Sequence, residues 1–341
     1  MNKNVTRALW AGLLCLLALA PFVVGTVEIS AFQKVVYLSV AVMSLNVLTG
    51  FNGQASIGHS AFMGIAAYFT ALAVQSHGWS YWAALPASIL VAALVGALAG
   101  VPALRIRGMN LALVTLGLGM VFPQLPIRFT EETGGTQGMP VDEPLAAPAF
   151  LNVSDVAWRY WVLLALAALV FWLVRNFRAS RVGRAVIAIR DQPIAAHTAG
   201  VNVAATKIAV FAVSAGMAGL AGWMFTVANQ FVSPSDFTVL VSINLLLGMA
   251  IGGSGTLAGP VIGAVFLHYI PEAVNGTGID PVLTPALYGL ILILVVYFLP
   301  GGAAGGLAQL SARFAASRRS PDEPGQAPPS TPRLTSSTSH P

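Results

Sequence analysis

The sequence predicts an all-α polytopic membrane protein of about ten transmembrane helices, some broken by glycine, with a cytoplasmic loop of two short helices. Three observations carry this. Apolar residues make up 56% of the chain and charged residues 9%, with a mean hydropathy of +0.77, whereas a soluble domain carries about a quarter charged residues. The apolar residues are gathered into long runs free of Asp, Glu, Lys and Arg. Most of the basic residues fall in alternate gaps between those runs.

Ten uncharged runs occur: Ala8–Val27, Val35–Phe51, Ser60–Gln75, Tyr81–Leu104, Met109–Ile127, Tyr160–Val174, Ile208–Gln230, Phe237–Ile251, Leu257–Pro271 and Val282–Leu299. A bilayer core needs about 20 apolar residues per helix, and only helices or closed barrels satisfy their backbone in lipid. The runs do not alternate polar and apolar residues, so a barrel is excluded. The first run follows Lys3 and Arg7 and ends near Ala18-Leu19-Ala20, as a secretory leader does. With further spans behind it, an uncleaved first helix is expected.

Lysine and arginine asymmetry sets orientation. With ten crossings, Lys3 and Arg7, Arg105 and Arg107, the group Arg175 to Lys207, and Arg313 to Arg333 share one side. Glu131, Glu132, Asp142, Glu143 and Asp155 fall on the other. Both termini are therefore expected in the cytoplasm of a multi-pass plasma-membrane protein. The net charge of +5 follows from topology and calls for no nucleic acid. Residues 1–316 read as the transmembrane domain. The Pro-, Ser- and Thr-rich stretch 317–341 lacks the apolar residues of a core and reads as a disordered cytoplasmic tail. The lone Cys15 excludes an intrachain disulfide.

No phosphate-binding Gly-Lys-Ser/Thr sequence, His-Glu-x-x-His motif, paired-Cys metal motif or Gly-x-Ser-x-Gly elbow occurs. No catalytic, metal or cofactor residues are assigned. Intramembrane carboxylates, the usual proton or sodium couplers, are absent from the runs. The chain thus carries no energy source of its own: it is a passive channel, or another subunit drives it.

The gap 176–206 reads as two short helices. The first covers roughly 181–190. Asp191 is placed to cap the second, Pro193 sits in its first turn and Gly200 ends it. The second helix carries Ile194, Ala195, Ala196 and Ala199, which are unusually apolar for a solvated surface. Two readings stand open: a helix that seats in a partner cleft, or an amphipathic helix on the lipid interface with its arginines on headgroups.

Gly53, Gln54, Ser56, Gly58 and His59 interrupt the apolar pattern with glycines beside polar side chains. Such a break at membrane depth is tolerated where it is buried in protein or lines a cavity, so the group reads as a pathway or gating element or as tight helix packing. His59 is either a satisfied structural histidine or a ligand contact, and His268 reads as structural. Gly64, Gly216, Gly219 and Gly222 read as close helix contacts. Ser44-Leu45-Asn46-Val47-Leu48 is echoed by Ser242-Ile243-Asn244-Leu245-Leu246, each followed by a glycine-rich break. The echo marks a repeat or a shared packing solution. In the gap 128–159, Gly134, Gly135, Thr136 and Gly138 form either an amide nest for a carboxylate or a plain turn.

These segments together resemble the permease subunits of ATP-binding-cassette importers of the branched-chain amino acid type. The stretch from Gly50 to Phe62 resembles the family's Gly-x-x-Gly-Gln-x-Ser-x-Gly-His-x-x-Phe pattern. Thr133 to Gly138 resembles its Thr-Gly-Gly-x-x-Gly. Gly183, Arg184, Ala185, Ile189, Arg190, Ala195, Ala196, Gly200, Val201 and Asn202 match its cytoplasmic coupling loop. The family carries further acidic residues near Pro193, and here only Asp191 remains. The segments from Arg105 to Gly117 and from Gly252 to Ala264 add to the resemblance, which covers about 35 to 300.

The resemblance implies a permease that forms a heterodimer with a second permease, two cytoplasmic ATPases that consume the ATP, and a periplasmic substrate-binding protein, all at the bacterial inner membrane. It implies that Gly183, Arg184, Arg190, Asp191, Ala195, Ala196 and Gly200 couple to the ATPase. Asn46, Gly53, Gln54, Ser56, Gly58 and His59 are the candidate pathway or gating residues, on the glycine-broken helix argument given above. The implied solute is a branched-chain or other apolar amino acid, with urea and short amides as alternatives. A stand-alone facilitator would need no ATP. A membrane-embedded enzyme would need a polar cluster that the uncharged runs do not supply.

Overall fold

In a computed structural model, the structure describes residues 17–105, 109–151 and 153–276, with scattered positions between 283 and 305. All of them belong to one compact unit, residues 1–306. The expected tail, the first nine residues of the first apolar run and most of the last one lie outside the described residues.

Each apolar run from Val35 to Pro271 is helical over most of its length. Helix α1 spans Thr26–Leu45 and continues as a π-helix over Asn46–Phe51. It is followed by α2 (His59–Gln75), α3 (Tyr81–Arg105), α4 (Met109–Val121), and the short α5 (Gln124–Arg128) and α6 (Thr130–Thr133). Next come α7 (Asp155–Ala179), α8 (Arg181–Asp191), α9 (Pro193–Thr198), α10 (Val203–Asn229), α11 (Val239–Gly252) and α12 (Gly259–Asn275). A two-residue ribbon pairs Met139–Pro140 (β1) antiparallel with Phe231–Val232 (β2). Among the described residues, five helical stretches are long and apolar enough to cross a membrane: Thr26–Phe51, Tyr81–Val101, Leu111–Arg128, Asp155–Ala179 and Val203–Asn229.

Several boundaries differ from the sequence expectation. Helices α7 and α10 begin earlier, at Asp155 and Val203, and α11 and α12 later, at Val239 and Gly259. Two further differences have a local cause. The second apolar run does not begin at Val35: its helix starts at Thr26 and takes in Glu28 and Lys34. The chain turns earlier because Pro21 sits in a 3-10 turn at Ala20–Phe22 and Gly25 is extended. Glu28 then lies in the first turn, where the helix dipole favours an anion, and Lys34 stays exposed. The fifth run is interrupted at Phe122-Pro123 before α5.

Helix α10 is the centre of the bundle and packs against α3, α2 and α1. Its glycines make this possible. A methyl at Gly222 would overlap the Met63 carbonyl oxygen, one at Gly219 would lie 2.5 Å from the Ala92 Cβ, and one at Gly216 3.3 Å from the Ala93 Cβ. Small residues let helices approach where the apolar solvent gives no hydrophobic drive between them. Gly64 likewise receives the Phe122 and Phe237 rings. Trp223 is fully buried and donates its indole N–H to the Tyr81 carbonyl at 3.0 Å.

Described loops gather at two ends of the bundle. At one end the break 52–58 meets α8 and the turn 253–258. At the other, Gln75 Nε2 donates to Asp142 at 2.8 Å, Tyr81 Oη to the Glu143 carbonyl at 2.8 Å, and the ribbon joins 139–140 to 231–232.

Candidate functional site

The first end of the bundle holds most of the residues singled out in the sequence. There α1 loses its α-helical register at Asn46, winds through the π-helix and stops at Asn52. Gly53 takes a left-handed φ of 73°, which only glycine adopts without strain. The Gly53 N–H reaches the Thr49 carbonyl at 3.1 Å and the Gln54 N–H the Leu48 carbonyl at 3.2 Å, while the Thr49 hydroxyl closes on the Gln54 carbonyl at 2.9 Å.

A helix end leaves carbonyls without intrahelical partners, and two neighbours approach this one. Arg190, in the last turn of α8, donates from Nη1 to the Gly50 carbonyl at 2.6 Å. Its stem lies where a Gly53 side chain would be, 2.8 Å from a Cβ built there. A cation at a helix C-terminus is favoured by the dipole. Asn46 supplies the second connection: its Nδ2 donates to the Thr256 carbonyl at 2.8 Å, and its Oδ1 accepts the Gly255 N–H at 2.7 Å. The 46–58 break, the 253–256 turn and the short helix α8 thus form one joint.

The remaining members of the group are spent on neighbouring helices. Gln54 Nε2 donates to the Lys207 carbonyl at 3.3 Å. A methyl at Gly58 would overlap the Thr115 carbonyl oxygen, and the Ile57 N–H meets the Thr115 hydroxyl at 3.0 Å. His59 is fully buried with Nε2 at 2.9 Å from Ser44 Oγ and 3.3 Å from Ser214 Oγ. Both hydroxyls give their protons to carbonyls, those of Ala41 and Ser44, each at 2.6 Å. Nε2 therefore carries the proton, and His59 clamps α1, α2 and α10. Two polar side chains of the break have no protein partner although buried: the Asn52 amide and the Ser56 hydroxyl. Buried polar groups are normally satisfied, so these two side chains, together with His59 Nδ1, which also has no partner, are the groups left for water or solute.

The sequence brought Asn46, Gly53, Gln54, Ser56, Gly58 and His59 into view but missed Gly50, Asn52, Gly255 and Thr256. The echo was the available signal. Ser44 contacts His59, and Ser242 Oγ accepts the N–H of the adjacent Ser60 at 2.8 Å. The two echoed serines thus hold the start of α2 from opposite sides.

Helix α8 is capped by Ser180, whose Oγ accepts the Gly183 N–H at 3.1 Å. Its buried face is Gly183, Val186 and Ile189. Gly183 packs on the end of α7, where a methyl would overlap the Phe177 carbonyl. Arg184 is exposed and bonds the Ala179 carbonyl at 2.9 Å. Asp191 does not cap α9. It ends α8 and pairs with Arg190 at 3.1 Å, and Gln192 occupies the cap position without a side-chain bond. Ala196 does not face outward either. It is buried, and its carbonyl accepts the Val201 N–H at 3.0 Å as Gly200 turns the chain with φ 85°. Ala195 and Ile194 form the free face, with Ile194 80% exposed.

At the other end, Gly134, Gly135 and Gly138 have φ of 73°, 61° and 83°. Their amides bond inside the loop, to the Thr130 carbonyl, the Thr133 hydroxyl and the Gly135 carbonyl respectively. Thr136 belongs to the intervening 3-10 turn. The geometry is that of a turn that positions β1.

The profile of a family described as the permease component of branched-chain amino acid transport systems matches residues 29–296. The chain is 32% identical over 326 residues to the high-affinity branched-chain amino acid transport system permease protein LivM of Escherichia coli strain K12, covering 88% of this chain and 76% of that protein. The LivM protein of Salmonella typhimurium gives the same identity and coverage. The autoinducer 2 import system permease protein LsrC of Salmonella choleraesuis is 32% identical over 228 residues, 63% of this chain and 62% of that one. No solved structure matches the chain.

Proposed function

The chain belongs to the branched-chain amino acid transport permease family, and from that premise we propose that it is the membrane permease subunit of an ATP-binding-cassette importer whose solute is a branched-chain or other apolar amino acid. The solute class rests on the naming of its LivM relatives for branched-chain amino acid transport. The observation that carries a driven mechanism is the bond from Arg190 to the Gly50 carbonyl. It joins a short extramembrane helix directly to the broken end of a membrane helix.

In this reading the α8–α9 loop is the lever on which a cytoplasmic ATPase acts, and its outward residues Ala195 and Ile194 form the docking surface. ATP is consumed by two partner ATPases, so the permease needs no cofactor. When α8 moves, Arg190 carries the carboxyl end of α1 with it, and Asn46 carries the 253–256 turn. Two breaks then shift as one unit, which suits rocking between inward and outward access. Asn52 and Ser56, unpartnered in the protein, become the polar groups offered to a zwitterionic solute or its water as the joint opens. The opposite end, with the acidic 129–155 segment, faces the periplasm and receives the binding protein. A second permease completes the pathway. Ten crossings place both termini in the cytoplasm of the inner membrane.

The test is reconstitution of this chain with its second permease, ATPases and binding protein in vesicles. ATP-dependent uptake of labelled leucine is the expected result. Downhill flux through this chain alone, without nucleotide, would overturn the driven reading in favour of a facilitator.

A further inference from the structure

An open crevice of about 320 Å³ lies outside the joint, between the end of α7, α8, the π-helix and the first half of α10. Phe177, Val182, Val47, Ala209 and Val213 line it, and apart from Thr206 its lining is wholly apolar. Val182 and Val213 remain 58% and 55% exposed. Val213 lies ten residues into α10, about 15 Å along its axis, while Val182 belongs to the extramembrane loop. On the topology proposed above, the slot runs from headgroup level into hydrocarbon depth.

Its upper rim is cationic. Arg178 and Arg181 flank Phe177 and Val182 in sequence. The Arg178 guanidinium lies 5.7 Å above the Phe51 ring, one turn beyond Val47, and Arg184 is fixed at the same elbow by the Ala179 carbonyl. Among the described residues the ion pairs are Arg190–Asp191 and His268–Glu272, so Asp191 is committed and these three arginines carry no counter-charge. An apolar slot at membrane depth with uncompensated arginines at its mouth matches an amphiphile with an anionic head.

We infer that this crevice holds an acyl chain of one anionic phospholipid, with its phosphate on Arg178 and Arg181. The bound lipid fills the space between the coupling loop and α10. A cytoplasmic protein segment fits less well, because half of the slot lies within the bilayer.

The experiment uses the assembled transporter exchanged into micelles containing equal phosphatidylglycerol and phosphatidylcholine, with retained lipid counted by native mass spectrometry. One phosphatidylglycerol should persist per copy of this chain. Arg178→Gln and Arg181→Gln, both at exposed positions, should each lower its retention relative to phosphatidylcholine by roughly fivefold. Ala209→Trp, which fills the slot, should release it whatever the headgroup. Equal retention of both lipids, or retention indifferent to all three substitutions, overturns the site. So does a photo-crosslinker at Val213 that captures a protein subunit in place of phospholipid.

Discussion

Asn46 and Thr256 stand 210 positions apart in sequence, yet the Asn46 amide donates to the Thr256 carbonyl at 2.8 Å. The same side chain accepts the Gly255 N–H at 2.7 Å. One fully buried asparagine thereby satisfies a backbone donor and a backbone acceptor in a turn that has no helix to satisfy them. Gly50 is needed beside it, since a methyl there would overlap Asn46 Oδ1.

Replacing Asn46 by Leu should destabilise the chain more than a surface change does. It leaves the half-buried Gly255 N–H and Thr256 carbonyl without their Asn46 partner, at up to about 1–3 kcal/mol each where water does not replace it. The check is the midpoint of thermal unfolding in detergent, which should fall clearly below that of an exposed control such as Leu113→Ala. An unchanged midpoint would mean the turn finds other partners.

Arg190→Ala should separate docking from transport. The residue faces inward to Gly50, whereas the free face of the loop is Ala195 and Ile194. The ATPase should still copurify, and uptake per ATP hydrolysed should drop. Loss of ATPase binding itself would place Arg190 in the docking surface.

Ala195→Glu and Ala196→Glu should differ in kind. A glutamate at exposed Ala195 should weaken ATPase copurification and leave the chain folded. At buried Ala196 it places an unpaired carboxylate inside the loop, a destabilising change of several kcal/mol. Limited proteolysis of the 180–202 segment reads the second effect. Equal protease resistance of the two variants would show that Ala196 is not packed as described.

Gly58→Ala should impair folding, because its methyl would overlap the Thr115 carbonyl oxygen, part of a helix backbone that cannot step aside alone. Gly78→Ala is the comparison. No atom lies within 4 Å of a Cβ there, and the one cost is the left-handed φ of 63°, which alanine adopts only with strain. Yield of monodisperse protein should fall far more for Gly58→Ala.

Cysteine at Gln192 and cysteine at Asp142, each in a Cys15→Ser background, should be labelled from opposite sides of the membrane. Both positions are exposed, and their loops lie at opposite ends of the bundle. Labelling from one side would break the crossing order.

The sequence by itself determined the helical membrane class, the order of the helices between Val35 and Pro271, the break at 52–58 and the two-helix loop. Each is written in local terms. An uncharged run must be helical in lipid, and glycines beside Gln54 and Ser56 end such a helix wherever it is found. The family motifs were legible for the same reason. Only the tertiary structure decided what the polar residues do. Asn46 meets Thr256, His59 meets Ser214 and Arg190 meets Gly50 across 210, 155 and 140 positions. No local pattern records which carbonyl a side chain reaches when α10 draws α1, α2 and α3 together. The inward turn of Ala196 and the early start of α1 at Thr26 were settled in the same way. The first depends on the Gly200 turn folding back on α9, and the second on where Pro21 and Gly25 let the chain reverse. Apolarity and glycine content are properties of a segment, whereas burial and pairing are properties of its neighbours.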